Sequence, residues 1–348
     1  MNIVTTETQS ASGNCIARDV PSPSEGWRAS MRAAFRRLDE LCRFLQLPAD
    51  LATSGLTAAD SFPLFVPREF AAKMQPGDPH DPLLRQVLPV KQETFPAEGF
   101  TANPVGDHEA TLTPGLLQKY HGRALMITTG ACAVHCRYCF RRHFPYGESP
   151  KGIDAWETAL KAIGEDKSLH EILLSGGDPL TLTDPILEQL VEKIAQVSHI
   201  RRLRIHTRLP VMIPSRVNDR LVSWLTRTRL KPIVVIHVNH PQELGNDVIA
   251  ALGRLNEAGV PLLNQSVLLR HVNDNVETLT ELSERLFDSH VMPYYLHQLD
   301  HVQGAAHFLV PREAGIAIVE SMRKRLPGYL VPRYVEEIAG DANKRVIA

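Results

Sequence analysis

The chain has 348 residues and a mass of 38.8 kDa, with 43% hydrophobic and 22% charged residues, the make-up of a soluble globular enzyme with a large core. A formal net charge of -1 excludes the broad basic footprint of a nucleic-acid or anionic-membrane binder. No apolar run approaches the roughly 18 residues of a membrane span.

The opening "MNIVTTETQSASGNC" lacks the basic start and apolar run of a secretory signal, so a cytoplasmic protein is expected. This segment is polar and reads as loose to about Ser24. From Trp27, a helical pattern runs through Met31, Phe35, Leu38, Cys42 and Leu45. Cys42 falls on that apolar stripe and reads as a buried core thiol. Residues 60–122 are rich in Pro and Gly and read as an irregular extension. Beyond Arg123, short apolar runs read as strands: "ALMIT" (124–128), "EILLS" (171–175), "LRIHT" (203–207), "PIVVIHV" (232–238), "LLNQSVLL" (262–269) and "MPYYLH" (292–297). Amphipathic segments lie between them. One starts with Asp184 as N-cap and Pro185 at the first helical position. Another carries Val248, Ile249, Leu252 and Leu255 and stops at Gly259. Strands alternating with helices imply a parallel sheet, either a partial TIM-like barrel or a doubly wound sheet. Both gather functional groups at the C-terminal ends of the strands.

The first of those ends carries "TGACAVHCRYCFRRHFPYG", in which Cys132, Cys136 and Cys139 stand as C-x3-C-x2-C. Clustered thiols in a chain with an odd number of cysteines point to a metal or redox site rather than to disulfides. Thiolates favour iron–sulfur centres or zinc. A closed zinc site needs a fourth ligand, for which His135 and His143 are the nearby candidates. "SGGDPL" (175–180) follows the second strand. Gly176 and Gly177 allow close backbone approach there, and Asp178 accepts hydrogen bonds. His206, Arg208, His237 and Asn239 place polar groups at the next two strand ends. Asn264 and Gln265 sit among apolar neighbours and need partners, from the protein or a cofactor.

The cysteine pattern, with Tyr138 just ahead of the third cysteine, resembles the radical S-adenosylmethionine (SAM) signature. That resemblance implies a [4Fe–4S] cluster on three cysteines, with the fourth iron left for SAM, which is cleaved to a 5′-deoxyadenosyl radical. It implies a partial TIM-like (β/α)6 barrel over 106–330, an N-terminal helical and irregular extension over 1–105, and a C-terminal tail over 331–348. "CAVHCRYCFRRHFPYG", "SGGDPL", "RIHTRLP", "GVPLLNQSVLLRHVNDN", "PYYLHQLDHVQGAAHF" and "GYLVPR" together resemble the lysine 2,3-aminomutase family, in particular its elongation factor P lysylation branch. The implied reaction turns (S)-α-lysine into (R)-β-lysine with pyridoxal 5′-phosphate (PLP). A partner ligase then attaches the product to elongation factor P.

Carried over by this resemblance, Lys344 is the PLP lysine, Lys119 a PLP-phosphate contact and Gln265 a further PLP contact. Ser175, Gly176, Gly177 and Asp178 hold SAM, with His206, His237 and Asn239 beside it. Arg141 takes the substrate carboxylate, and Asp300 and Glu337 take its ε-ammonium. Three features depart from the family pattern: the tail wording "GDANKRV", glutamate at 337 where aspartate is common, and lysine at 119 where arginine is. An aminomutase of another amino acid, such as glutamate, and a non-enzymatic zinc-binding module are the alternatives. The electron donor and self-association into a homo-oligomer are left open.

Overall fold

The computed structural model describes residues 26–348; Cys15 and the polar opening segment lie outside them. Ten strands follow one another in chain order across one sheet. They are β1 (Thr111–Thr113), β2 (Leu116–Tyr120), β3 (Arg123–Thr129), β4 (Glu171–Gly176), β5 (Arg202–Thr207), β6 (Lys231–Ile236), β7 (Leu262–Val267), β8 (Val291–His297), β9 (Arg333–Glu336) and β10 (Arg345–Val346). Strands β3 to β9 pair in parallel, while β1–β2, β2–β3 and β9–β10 are antiparallel.

The six expected strand–helix units are β3 to β8. Their helices are Glu157–Glu165, Asp184–Gln196, Asp219–Thr226, Asn246–Glu257, Val276–Asp288 and Arg312–Arg323. This is the partial-barrel arrangement, with parallel strands covered by helices and therefore read as near-continuous apolar runs. Register puts Ile172 beside Leu203, and Ile205 between Leu174 and Val234; all five are buried. Side-chain caps start two of the helices: Asn218 accepts from the Leu221 amide and Asn275 from the Thr278 amide, each at about one turn's reach.

Four details differ from the sequence expectation. The helical stripe from Trp27 is broken into Trp27–Ala33 and Leu38–Phe44. The break comes where Phe35 forms a two-way backbone bridge with Val66, its amide donating at 2.8 Å and its carbonyl accepting at 3.0 Å. The irregular stretch before Arg123 contains β1 and β2, which extend the sheet from β3. Asp184 is not a cap, because Thr183 holds that position. The Asp184 carboxylate is buried and takes Arg216 and the Trp224 indole, each at 2.9 Å. Finally, the polar tail returns as β10, pairing Arg345 with Glu336.

The segment before β1 packs into the same apolar core as the barrel: Phe35, Leu41, Cys42, Phe70 and Leu84 share it with Trp156, Leu174 and Ile236. Cys42 is buried there, as expected. The same segment grips the loop after β3. The His135 amide donates to Phe65, the Arg137 amide to Gln86, and Glu93 binds the guanidinium groups of Arg137 (2.6 Å) and Arg142 (2.8 Å). Arg137 is fully buried, so this pair holds the loop at a defined height: losing Glu93 would strand two charges.

Candidate active site at the C-terminal ends of the strands

The cysteine loop leaves β3 and is clamped by the turn that ends β4. The Gly177 amide donates to Thr129 at 2.7 Å and the Asp178 amide to Ala131 at 2.7 Å. A Cβ on Gly177 would lie 2.2 Å from the Ala131 oxygen, and Gly176 adopts φ 119° with the Thr129 oxygen 2.7 Å from its missing Cβ. Backbone therefore touches backbone here, which only glycine permits. Gly177→Ala is expected to destabilise the protein by about 2–4 kcal/mol and to displace the loop. Thermal melts and iron uptake measured on one preparation check both effects.

Burial and the neighbouring thiol of Cys139 push the Cys132 thiol well above its usual range, while burial and Cys136 push Cys139 up to about 11. Cys132 and Cys139 therefore stay protonated until a metal centre supplies compensating charge, which is the behaviour of metal-binding thiols. The two histidines that would have closed a zinc site are engaged elsewhere. His135 Nδ1 bonds the Pro63 carbonyl at 2.7 Å, and His143 Nε2 bonds that of Gln303 at 3.1 Å. Among the described residues, no three His, Cys, Asp or Glu side chains are gathered for a single ion. A four-iron cube instead takes one thiolate per iron, over a wider spacing. The donor set fits a cluster of that kind.

Two residues expected to touch SAM use their side chains internally. The buried Asp178 carboxylate accepts from Thr207 Oγ1, the Arg208 amide (both 2.7 Å), and the Leu180 and Leu209 amides (both 3.0 Å). It ties the end of β4 to the end of β5. Asn239 donates to Tyr138 Oη (2.6 Å) and Gln86 Oε1 (3.0 Å), and its oxygen accepts from the Val267 amide. Four bonds on one carboxylate and three on one amide leave both satisfied within the fold. Their action on any ligand is through the backbone that they hold. Asn264 also finds protein partners, Val238 and Ser266.

From the cysteine loop itself, two residues beyond Cys139, starts a chain of alternating charges. Arg141 Nε meets Asp107 at 2.6 Å. Lys119 meets the other oxygen of Asp107 at 2.6 Å and Glu337 at 2.8 Å, and Glu337 in turn receives Lys344. Arg141 also reaches Ser175 Oγ at 3.2 Å, which joins the chain to the β4 turn. Burial works to raise Asp107 and Glu337. For Asp107, Arg141 and Lys119 outweigh it; for Glu337, Lys344 and Lys119 hold the carboxyl at about 2. Lys119, expected at a phosphate, here spends its ammonium on these two carboxylates and the Val105 carbonyl. For Asp300 the balance tips the other way: burial and then Glu337 outweigh Lys344 and Lys119 and push it up to about 7.

The barrel wall beneath is lined by neutral imidazoles. Burial takes His206 and His297 well below the usual range and His237 down to about 3. Lys344 adds to the depression of His206 and His297, which places both in its electrostatic reach. Gln265 bonds His237 at 3.2 Å, whereas the Nε2 atoms of His206 and His297 have no partner among the described residues. Buried polar atoms without partners are the mark of a place that receives a polar ligand. Asp107 and His297 were not singled out from the sequence. Asp107 lies in "NPVGDHEA", a turn-rich stretch without periodicity, and only its two distant cations reveal it.

Comparison with known proteins agrees with this geometry. The Radical SAM superfamily pattern matches residues 126–282, from β3 through the β4 turn and on to the helix after β7. The chain is 46% identical over 330 residues to an L-lysine 2,3-aminomutase of Escherichia coli strain K12, covering 94% of this chain and 96% of that protein. It is 42% identical over 324 residues to that of Haemophilus influenzae, covering 93% and 96%. It is 33% identical over 321 residues to that of Clostridium subterminale, covering 91% of this chain and 76% of that one. With thiols, glycine turn and charge chain at one end of a parallel partial barrel, and these relatives spanning nearly its whole length, the chain belongs to the lysine 2,3-aminomutase family of radical SAM proteins.

Proposed function

We propose that the protein is a PLP-dependent L-lysine 2,3-aminomutase that converts (S)-α-lysine to (R)-β-lysine. The observation that carries this reading is the charge chain: Arg141 stands at one end, and towards the other Glu337 lies between Lys119 and Lys344, with the Asp300 carboxyl in electrostatic reach of all three. Arg141 there suits the α-carboxylate, and Asp300 with Glu337 suits the ε-ammonium, since opposite charges in a water-poor site attract strongly. A glutamate side chain would instead bring a carboxylate to two others.

Cys132, Cys136 and Cys139 would hold the cluster, the β4 turn and the imidazole wall would flank SAM, and Lys344 would hold PLP. When bound, these groups supply the deoxyadenosyl radical and the conjugated ring that lets nitrogen move between carbons 2 and 3. The chain's own residues bind, orient and exclude water. Asp107 positions Arg141, because the Nε–Oδ2 bond fixes the plane of the guanidinium. Anaerobically reconstituted protein should form β-lysine from lysine with SAM, PLP and a reductant. No product from a preparation with an intact cluster would reject the reading.

The wording "CRYCFRRHFPY" and "HVQGAAHF" supports a role as supplier of β-lysine for elongation factor P. Product passed to the ligase should appear as a mass increment on one lysine of that factor. Among the described residues, no helix is long and apolar enough to cross a membrane.

A pH dependence follows from Asp300. Its carboxyl lies above the ordinary range at about 7, so below that pH it is protonated and offers the ammonium no charge. As pH rises through 7 it ionises and pairs. The KM for lysine is therefore expected to fall between pH 6 and 8. Asp300→Asn should remove this fall and weaken binding at pH 8 by about 2–3 kcal/mol, roughly 30- to 150-fold.

A further inference from the structure

Cys136 does not stand alone in its loop. The Arg208 guanidinium, at the end of β5, brings Nη1 to 2.8 Å from the Cys136 sulfur and 2.8 Å from Tyr138 Oη. Its Nη2 is held by Gln86 Oε1 at 2.6 Å and Glu243 Oε2 at 2.9 Å. Arg208 and Glu243 are buried, with 7% and 0% of their surfaces exposed. The carboxylate is fixed in turn: its other oxygen accepts from Gln86 Nε2 (3.0 Å) and the amides of Asn239 (2.9 Å) and His240 (3.1 Å). Three separate parts of the chain thus meet on one guanidinium, and among the described residues the sulfur that it touches belongs to the cysteine trio.

We propose that Arg208 is a positioning residue that tunes the redox potential of the cluster through Cys136, and this rests on the reading of the three cysteines as cluster ligands. A cluster gains negative charge when reduced. A fixed cation donating a hydrogen bond to one of its thiolates therefore stabilises the reduced form more than the oxidised one, which raises the potential. Glu243 sets how much of that charge the cluster feels. Its carboxylate partly neutralises the guanidinium and prevents it from turning away. Lysine at 208 cannot reproduce the effect, because a point ammonium cannot serve the sulfur, Tyr138, Gln86 and Glu243 from one plane.

The test is an EPR-monitored redox titration of anaerobically reconstituted wild type, Arg208→Lys, Arg208→Gln and Glu243→Gln, each with its iron content measured. Arg208→Gln should carry wild-type iron yet show a reduced-to-oxidised ratio at least tenfold lower at a fixed potential. For a one-electron couple this is a midpoint shift of about 59 mV to lower potential. Arg208→Lys should shift the same way by less. Glu243→Gln, which leaves the guanidinium uncompensated, should shift to higher potential. A purely structural role would change iron content or melting temperature without moving the midpoint in opposite directions. An unchanged midpoint in iron-replete Arg208→Gln overturns the inference. If neither Arg208 variant loads iron, Glu243→Gln decides, and a midpoint at or below that of wild type overturns it. Wild-type protein that takes up no iron would overturn the cluster reading itself, a separate and distinguishable failure.

Discussion

Replacing any one of Cys132, Cys136 or Cys139 by alanine is expected to strip the protein of its cluster and lower turnover by at least ~10⁴-fold, with the fold intact. Burial and mutual repulsion keep Cys132 and Cys139 protonated in the metal-free protein. Each would become a ligand only by releasing its proton to water as the bound centre compensates the thiolate charge, so binding would be collective and two thiolates would not replace three. The apo fold does not depend on that centre. The loop is held by Glu93 on Arg137 and Arg142, and by the Gly177 and Asp178 amides on Thr129 and Ala131. Thermal melts of the metal-free variants should therefore stay within about 1 kcal/mol of wild type, while iron analysis falls to background. A Cys136→Ala variant that kept full iron and activity would show that these thiols are not the ligands.

This division between loop and anchors also explains what the sequence disclosed. Strands β3 to β8 are legible because each is a short apolar run whose neighbours are other such runs. The cysteine trio is legible because its spacing has few other uses. What stayed hidden is set by partners far away in the chain. Phe35 looks helical until Val66 arrives to bridge it, and Asp184 looks like a cap until Arg216 and Trp224 claim its carboxylate. Asp178 was read correctly as an acceptor, but its donors turn out to be Thr207 and the backbone of 180, 208 and 209. Strand β10 has two residues, too few for any period to register. Asp107 acquires meaning only between Arg141 and Lys119, which lie 34 and 12 positions away.

That short strand sets up the second large effect. Because β10 returns antiparallel to β9 and pairs Arg345 with Glu336, the adjoining Lys344 and Glu337 are brought together despite seven intervening steps of chain, and Lys344 donates to Glu337. Lys344→Ala is expected to lower turnover by at least ~10³-fold, since the cofactor would no longer be held in register with the mouth by a covalent tether. The loss should be chemical rather than structural, and Lys344→Arg separates the two. Arginine keeps a cation on Glu337, so the buried carboxylate retains its partner and the melting temperature should stay near that of wild type. It carries no primary amine, so it too should be inactive. Borohydride treatment with PLP followed by peptide mapping should fix the pyridoxyl group on Lys344 in wild type and on no peptide of Lys344→Arg. Iron content should be equal in both. An active Lys344→Arg enzyme, or a label that moves to Lys119 with turnover unchanged, would show that the tail lysine serves only as the counter-charge to Glu337.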